Sequence, residues 1–206
     1  MAESVSSGDN RPVELLGSVR LDLPLLVVAL HEEAAALDDG LPVLITGPGK
    51  VNAAVAVTAV LATARPASVI NLGTAGGLHG GLSGVHEIHT VRQHDFDHAV
   101  FRDLVNRDYG LPIRLDSHED AARLTLATGD RFVADSDLRN SLSRDAHLVD
   151  MEGYAVAWSA RAAGVPVRLV KLVSDDADEG AGRTWMETVG EHSRELSRWV
   201  REELPR

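Results

Sequence analysis

An α/β fold is predicted, on three observations. Short apolar runs rich in Val, Ile and Leu alternate with longer Ala-rich segments, as strands do when they exchange with helices across a mostly buried sheet. Proline and glycine punctuate the returns from helix to strand, at Arg65-Pro66 and at Gly164-Val165-Pro166. The 206 residues suffice for one sizeable core and not for two ordinary ones. A single domain over 21–206 is therefore expected, preceded by a loosely ordered polar leader over 1–20.

The elements follow in order. Strands are predicted over 23–30 (LPLLVVAL), 42–46 (PVLIT), 68–74 (SVINLGT), 85–91 (VHEIHTV), 123–128 (RLTLAT) and 166–175 (PVRLVKLVSD). Helices are predicted over 50–64 (KVNAAVAVTAVLATA), 136–144 (SDLRNSLSR), 152–163 (EGYAVAWSARAA) and 184–204. In the last of these, Met186, Val189, Leu196, Val200 and Leu204 recur at broadly helical spacing between charges, which predicts a packing helix. The polar, weakly periodic stretch from Arg102 to Asp120 reads as a surface excursion or mobile loop.

Composition excludes several function classes. No apolar run approaches the roughly 20 residues of a membrane span, and the first 20 residues lack the cationic start and apolar stretch of a secretion signal, so a soluble, cytoplasmic protein is expected. There is no cysteine, which removes disulfides, thiolate nucleophiles and cysteine metal sites together. Acids outnumber bases 31 to 20, a formal charge of −11 that repels a phosphate backbone, so polymeric nucleic acid is not an expected partner.

Three motifs fail on inspection. TGPGKVN (46–52) runs from a strand into glycines and a lysine, but it lacks the spacing of a Walker loop and has Asn52 where a dinucleotide fingerprint needs its third glycine. A tight turn in contact with a ligand fits it better. HEEAA (31–35) lacks the second histidine of a zinc-protease helix. In HDFDH, residues His94, Asp95, Asp97 and His98 carry metal-binding types, yet two of the four would point to the opposite face of a strand. Solvated polar residues near an interface are the preferred reading, and no metal is expected.

Ligands of open α/β sheets bind beyond the carboxyl ends of the strands, so polar residues there carry the most weight. Five such ends stand out: ALHEEAAAL (29–37), NLGTAGGL (71–78), ATGDRFVAD (127–135), VDMEGYA (149–155) and LVSDDADEG (172–180). Taken singly, Glu33 and Glu152 fit first-turn helix acids and Asp175 fits a cap or turn residue. Their recurrence beside glycine-rich turns points instead to one crevice that collects them.

These stretches, with HDFDHAVF, occur in the order found in the purine nucleosidase and phosphorylase superfamily. From about Leu23 to about Val189 the chain most resembles the 5'-methylthioadenosine/S-adenosylhomocysteine nucleosidases. The resemblance implies a single-domain nucleoside phosphorylase-type fold, with a central mixed β-sheet flanked by helices, working as a homodimer on a small-molecule nucleoside with no cofactor. It implies Glu33 as the base that activates water, and Asp175, following Ser174, as the acid at adenine N7. Glu152 would accept hydrogen bonds from the ribose hydroxyls with Met151 under the sugar, leaving Asp150 a structural role. Phe132 would stack on the purine and Val133 offer its backbone to the adenine edge. Thr74 and Gly76 would lie near the ribose and water, Trp185 beside the purine, and Phe101 in the partner subunit's pocket.

The chemistry asks for these residue types independently. Adenine leaves a sugar poorly as an anion, so a carboxylic acid that protonates N7 makes it a neutral leaving group. The sugar becomes oxocarbenium-like, so nearby carboxylates stabilise it while one takes a proton from water. The family's pattern is departed from in a shortened segment between Glu33 and Val43, in Pro48, and in His98, which stands where an aliphatic residue near the 5'-group is expected. A futalosine-type nucleoside hydrolase, a phosphorylase with Arg92 as its phosphate ligand, and a non-catalytic nucleoside-binding module are the alternatives.

Overall fold

A computed structural model of the protein describes residues 13–115 and 123–204. Ten strands form one mixed sheet: β1 (Glu14–Leu16), β2 (Pro24–Val28), β3 (Val43–Ile45), β4 (Ser68–Gly77), β5 (Val85–Glu87), β6 (Thr90–Gln93), β7 (Ile113–Arg114), β8 (Thr125–Thr128), β9 (Leu148–Asp150) and β10 (Val167–Asp175). The helices among the described residues are α1 (His31–Ala34), α2 (Lys50–Thr63), α3 (His98–Val105), α4 (Ser136–Leu142), α5 (Gly153–Ala162) and α6 (Ala181–Glu203). The path through the sheet is β1-β3-β2-β4-β9-β8-β6-β7, with β10 beside β4 and β5 beside β10. Among the described residues, no helix is long and apolar enough to cross a membrane.

Helices cover both faces, which is why the central strands are apolar on both sides. On one face α2 and α5 pack through small residues, Ala53 and Ala56 against the Ala157–Ala160 side of α5, so their backbones approach closely over Leu25, Val69 and Leu169. On the other face Leu196 and Val200 of α6 are buried, and Val200 joins Leu26, Ile70 and Val170. Each fully buried Leu or Val contributes about 1.5–3 kcal/mol relative to exposure.

β4 is the strand on which the sheet forks. One edge pairs in parallel with β10 along most of its length. The other edge pairs in parallel with β2 from Ser68 to Asn71, and then antiparallel with β9 only at Gly76 and Gly77. Among the described residues no strand takes that edge between these two pairings, and backbone donors there are left for side chains. β2 and β10, which run parallel to β4, and β8 and β9, which run parallel to each other and antiparallel to β4, bring their carboxyl ends to this region, the topological position at which open sheets bind ligands.

Three expectations need correction, and the surface excursion gains its elements. Glu14–Leu16 lies inside the expected leader, yet it pairs antiparallel with β3, whose outer edge offers unpaired backbone groups; residues 1–12 lie outside the described residues. The strand predicted over 85–91 is two strands, because the chain passes from β10, which pairs β5, to β8, which pairs β6, and Ile88 is buried at the passage. The excursion from Arg102 to Asp120 contains the end of α3 and the short β7, with 116–120 outside the described residues. Met186 does not pack: it is 70% exposed, because the inward face of α6 at that level runs through Trp185, Val189 and Ser193.

Candidate active site

Each predicted acid is placed by a local reason. At the end of β2 the chain turns into α1, and the Glu33 side chain folds back so that its Oε2 accepts from the N–H groups of Ala29 (3.1 Å) and Leu30 (3.2 Å). Its Oε1 reaches the unpaired edge of β4, accepting from the Thr74 N–H (3.0 Å) and the Thr74 hydroxyl (3.2 Å). Gly73 makes this approach possible: a Cβ there would lie 3.1 Å from Glu33 Oε1 and 3.4 Å from Lys171 Nζ. Ser193 of α6 fixes the same turn from behind, donating to the Glu33 carbonyl (2.8 Å) and accepting from the Ala36 N–H (2.9 Å).

Asp150 and Glu152 straddle Met151 where β9 passes into α5, and their carboxylates diverge. Asp150 turns inward, accepting from the Thr128 hydroxyl (2.6 Å), the Gly153 N–H (2.8 Å) and the buried Lys171 ammonium (2.9 Å). It therefore starts α5 and neutralises Lys171. Glu152 faces the crevice, where its Oε1 accepts from the Gly49 N–H (2.8 Å) of the TGPGKVN turn. Burial, reinforced by the neighbouring Asp150 charge, pushes the Glu152 carboxyl up to about 8, against the opposing pull of Lys171 and the Gly49 N–H. Burial likewise opposes the charge on Lys171, but Asp150 and then Glu152 outweigh it and raise its pKa.

Asp175 ends β10 at a register shift that starts after Val173 and turns its side chain toward Gly76. Its Oδ2 accepts from the Ser174 hydroxyl (2.7 Å) and its Oδ1 from the Ala177 N–H (2.9 Å), a donor aimed by a left-handed backbone at Ala177 (φ 51°). Burial raises its pKa despite both hydrogen bonds. Gly76 is held to a hydrogen by crowding, since a Cβ would meet Ala177 Cβ at 3.0 Å and Asp175 Oδ1 at 3.2 Å.

These groups line one cavity of about 220 Å³ at the fork of the sheet. Glu33, Thr74, Gly76, Phe132, Val133, Met151, Glu152, Ser174, Asp175 and Trp185 all border it. Phe101 does not: it lies on α3, 44% exposed, stacked on Phe96 with ring centroids 5.3 Å apart. The arrangement sets Glu152 and Asp175, both of raised pKa, together with the firmly hydrogen-bonded Glu33 and Asp150, around a space walled by Leu30, Phe132, Val133 and Met151, with Pro48 also lining it.

Comparison with known proteins follows the same lines. The sequence profile of the phosphorylase superfamily matches residues 38–202. A 5'-methylthioadenosine/S-adenosylhomocysteine nucleosidase of Bacillus velezensis is 31% identical over 211 aligned positions, covering 89% of this chain and 91% of that one. This chain belongs to that nucleosidase family. The nucleosidase of Bacillus pumilus is 34% identical over 73% of this chain and 76% of its own. The structure of the Streptococcus pneumoniae nucleosidase in complex with 8-aminoadenine superposes with a TM-score of 0.71 at 25% identity, covering 85% of this chain and 96% of that one.

In this family member three neighbours of the site escaped sequence reading. Lys171 was legible in principle, as a lysine between Val170 and Leu172 at the centre of a strand, which signals a buried counter-charge. Gly73 carries no signal apart from its glycine. Arg131 lines the cavity with a side chain 66% exposed, 3.8 Å from Asp135. The HDFDH residues separate: Asp95 pairs with Lys50, Asp97 caps α3 by accepting from the Val100 N–H, and the His94 ring lies against Gly129. Arg92 pairs with Asp145 at 3.0 Å and does not border the cavity.

Proposed function

We propose that this chain hydrolyses the N-glycosidic bond of an adenine nucleoside such as 5'-methylthioadenosine or S-adenosylhomocysteine, the compounds after which its relatives are named, releasing adenine and the 5-substituted ribose. The observation that carries the reading is the convergence of Glu33, Glu152 and Asp175 on one cavity, with Asp175 buried enough for its pKa to rise. Asp175 gives its proton to N7 as the C1'–N9 bonding pair passes to the base, so adenine departs neutral. Water adds to C1' of the oxocarbenium-like sugar, and Glu33 takes its proton. Glu152 receives the ribose hydroxyls above Met151, Phe132 and Trp185 flank the purine, and Val133 presents its backbone to the adenine edge.

Water is favoured over phosphate by charge. A phosphate dianion needs cationic ligands, and among the described residues Arg131 is the one cation lining the cavity, its largely exposed side chain 3.8 Å from Asp135, while Glu33 sits where the anion would have to approach. We further propose a homodimer in which Phe101 completes the partner subunit's pocket. Support comes from the exposed Val51, Val55, Phe101, Leu104 and Trp158, whose apolar surface a monomer would leave in water. The test of the reaction is chromatography of free base released from either nucleoside by catalytic amounts of protein, with and without phosphate. Adenine release independent of phosphate is the expected result; release only with phosphate, or stoichiometric binding without adenine, overturns it.

A further inference from the structure

We infer that Trp185 is a positioning residue for Glu33, acting through the Thr74 hydroxyl; the inference rests on the reading of Glu33 as the base. The indole Nε1 donates to Thr74 Oγ1 at 2.9 Å, and Thr74 Oγ1 in turn donates to Glu33 Oε1 at 3.2 Å. A threonine hydroxyl has one proton and two lone pairs. With a lone pair filled by the indole N–H, the hydroxyl is oriented so that its proton goes to the carboxylate.

This orientation matters because Glu33 receives four donors, and three of them are backbone N–H groups of Ala29, Leu30 and Thr74, fixed by the turn and the strand. The fourth, the Thr74 hydroxyl, is the only one able to rotate, so it is the one that needs an outside partner. α6 supplies that partner at Trp185 and, two helical turns later, also holds the Glu33 backbone through Ser193. One helix therefore grips Glu33 at both ends. The indole's single donor is used within the protein, so a bound nucleoside meets only apolar ring surface from Trp185.

The test measures kcat and KM for adenine release from methylthioadenosine in wild type, Trp185→Phe, Thr74→Val, Thr74→Ser, the two double variants and Glu33→Gln, with melting temperatures recorded. Phenylalanine keeps an aromatic ring and removes the N–H. Loss of one hydrogen bond predicts a fall in kcat of about 3- to 10-fold for Trp185→Phe, with KM within about twofold. The same substitution costs as much in the Thr74→Ser background, which keeps the hydroxyl, and less than about twofold in the Thr74→Val background, where the relay is already cut. An unchanged kcat, a change in KM alone, or losses that multiply fully with Thr74→Val overturn the inference. Near-normal kcat in Glu33→Gln overturns the reading of Glu33 as the base, and the inference with it, whereas an inactive Glu33→Gln beside multiplying losses overturns the inference alone.

Discussion

Replacing Lys171 with methionine tests the electrostatic frame beneath the site. The ammonium and the Asp150 carboxylate are each only 1% exposed and 2.9 Å apart, so removing the cation leaves a carboxylate charge inside the sheet with the Thr128 and Gly153 donors alone. Breaking a buried pair from one side costs about 3–5 kcal/mol. For a domain of this size each kcal/mol lowers Tm by about 2–4 °C, so a drop of roughly 6–20 °C is expected by thermal unfolding at neutral pH. The double variant Lys171→Met with Asp150→Asn removes the stranded charge and is expected to unfold at a higher temperature than Lys171→Met alone. A Tm for Lys171→Met within about 2 °C of wild type, or a double variant less stable than the single, would refute this view of the cluster.

Two further outcomes follow from the same geometry. The Glu152 carboxyl is raised to about 8 in the folded protein, above its ordinary value of 4.5, so it holds a proton there that the unfolded chain releases. The stability this confers is fully present below about 4.5 and is lost as pH rises through about 8. Denaturant unfolding across that range is expected to show stability falling with pH, and Glu152→Gln to flatten the slope; an equally steep slope in the variant counts against the assignment. Gly76→Ala forces a methyl to within 3.0 Å of Ala177 Cβ and 3.2 Å of both Asp175 Oδ1 and Val149 Cγ1. Overpacking of this kind costs about 1–3 kcal/mol, and kcat is expected to fall at least about tenfold as Asp175 is displaced; steady-state kinetics with undiminished kcat would contradict that.

The alternation of apolar strands and Ala-rich helices is a local signal, and β2, β3, β8 and β10 lie where it places them. The acids were readable for the same reason, because Glu33, Glu152 and Asp175 each lie at or within a few residues of the carboxyl end of a strand, and Glu152 directly precedes a glycine. What could not be read depends on register between distant segments. Lys171 faces Asp150 only because β9 and β10 both meet β4, and Gly73 matters only because Glu33 folds back onto it. β9 is fully buried but only three residues long, too short for its own periodicity, so it was legible only as the strand end in VDMEGYA; α3 is an eight-residue helix with no buried residue, so no core face announced it. The hydrogen bond from Trp185 to Thr74 spans 111 positions of sequence, beyond any motif.

The most direct test of the proposed mechanism is single-turnover adenine release from methylthioadenosine by Asp175→Asn at neutral pH. Asparagine keeps the shape and an oxygen for the Ala177 N–H, places an NH2 where Oδ2 meets the Ser174 hydroxyl, which can turn to accept from it, and has no proton acidic enough for N7. A general acid contributes about 10²- to 10⁴-fold, so a loss of at least about 10² with the melting transition retained is the predicted result. Near-normal turnover in that variant would contradict Asp175 as the acid.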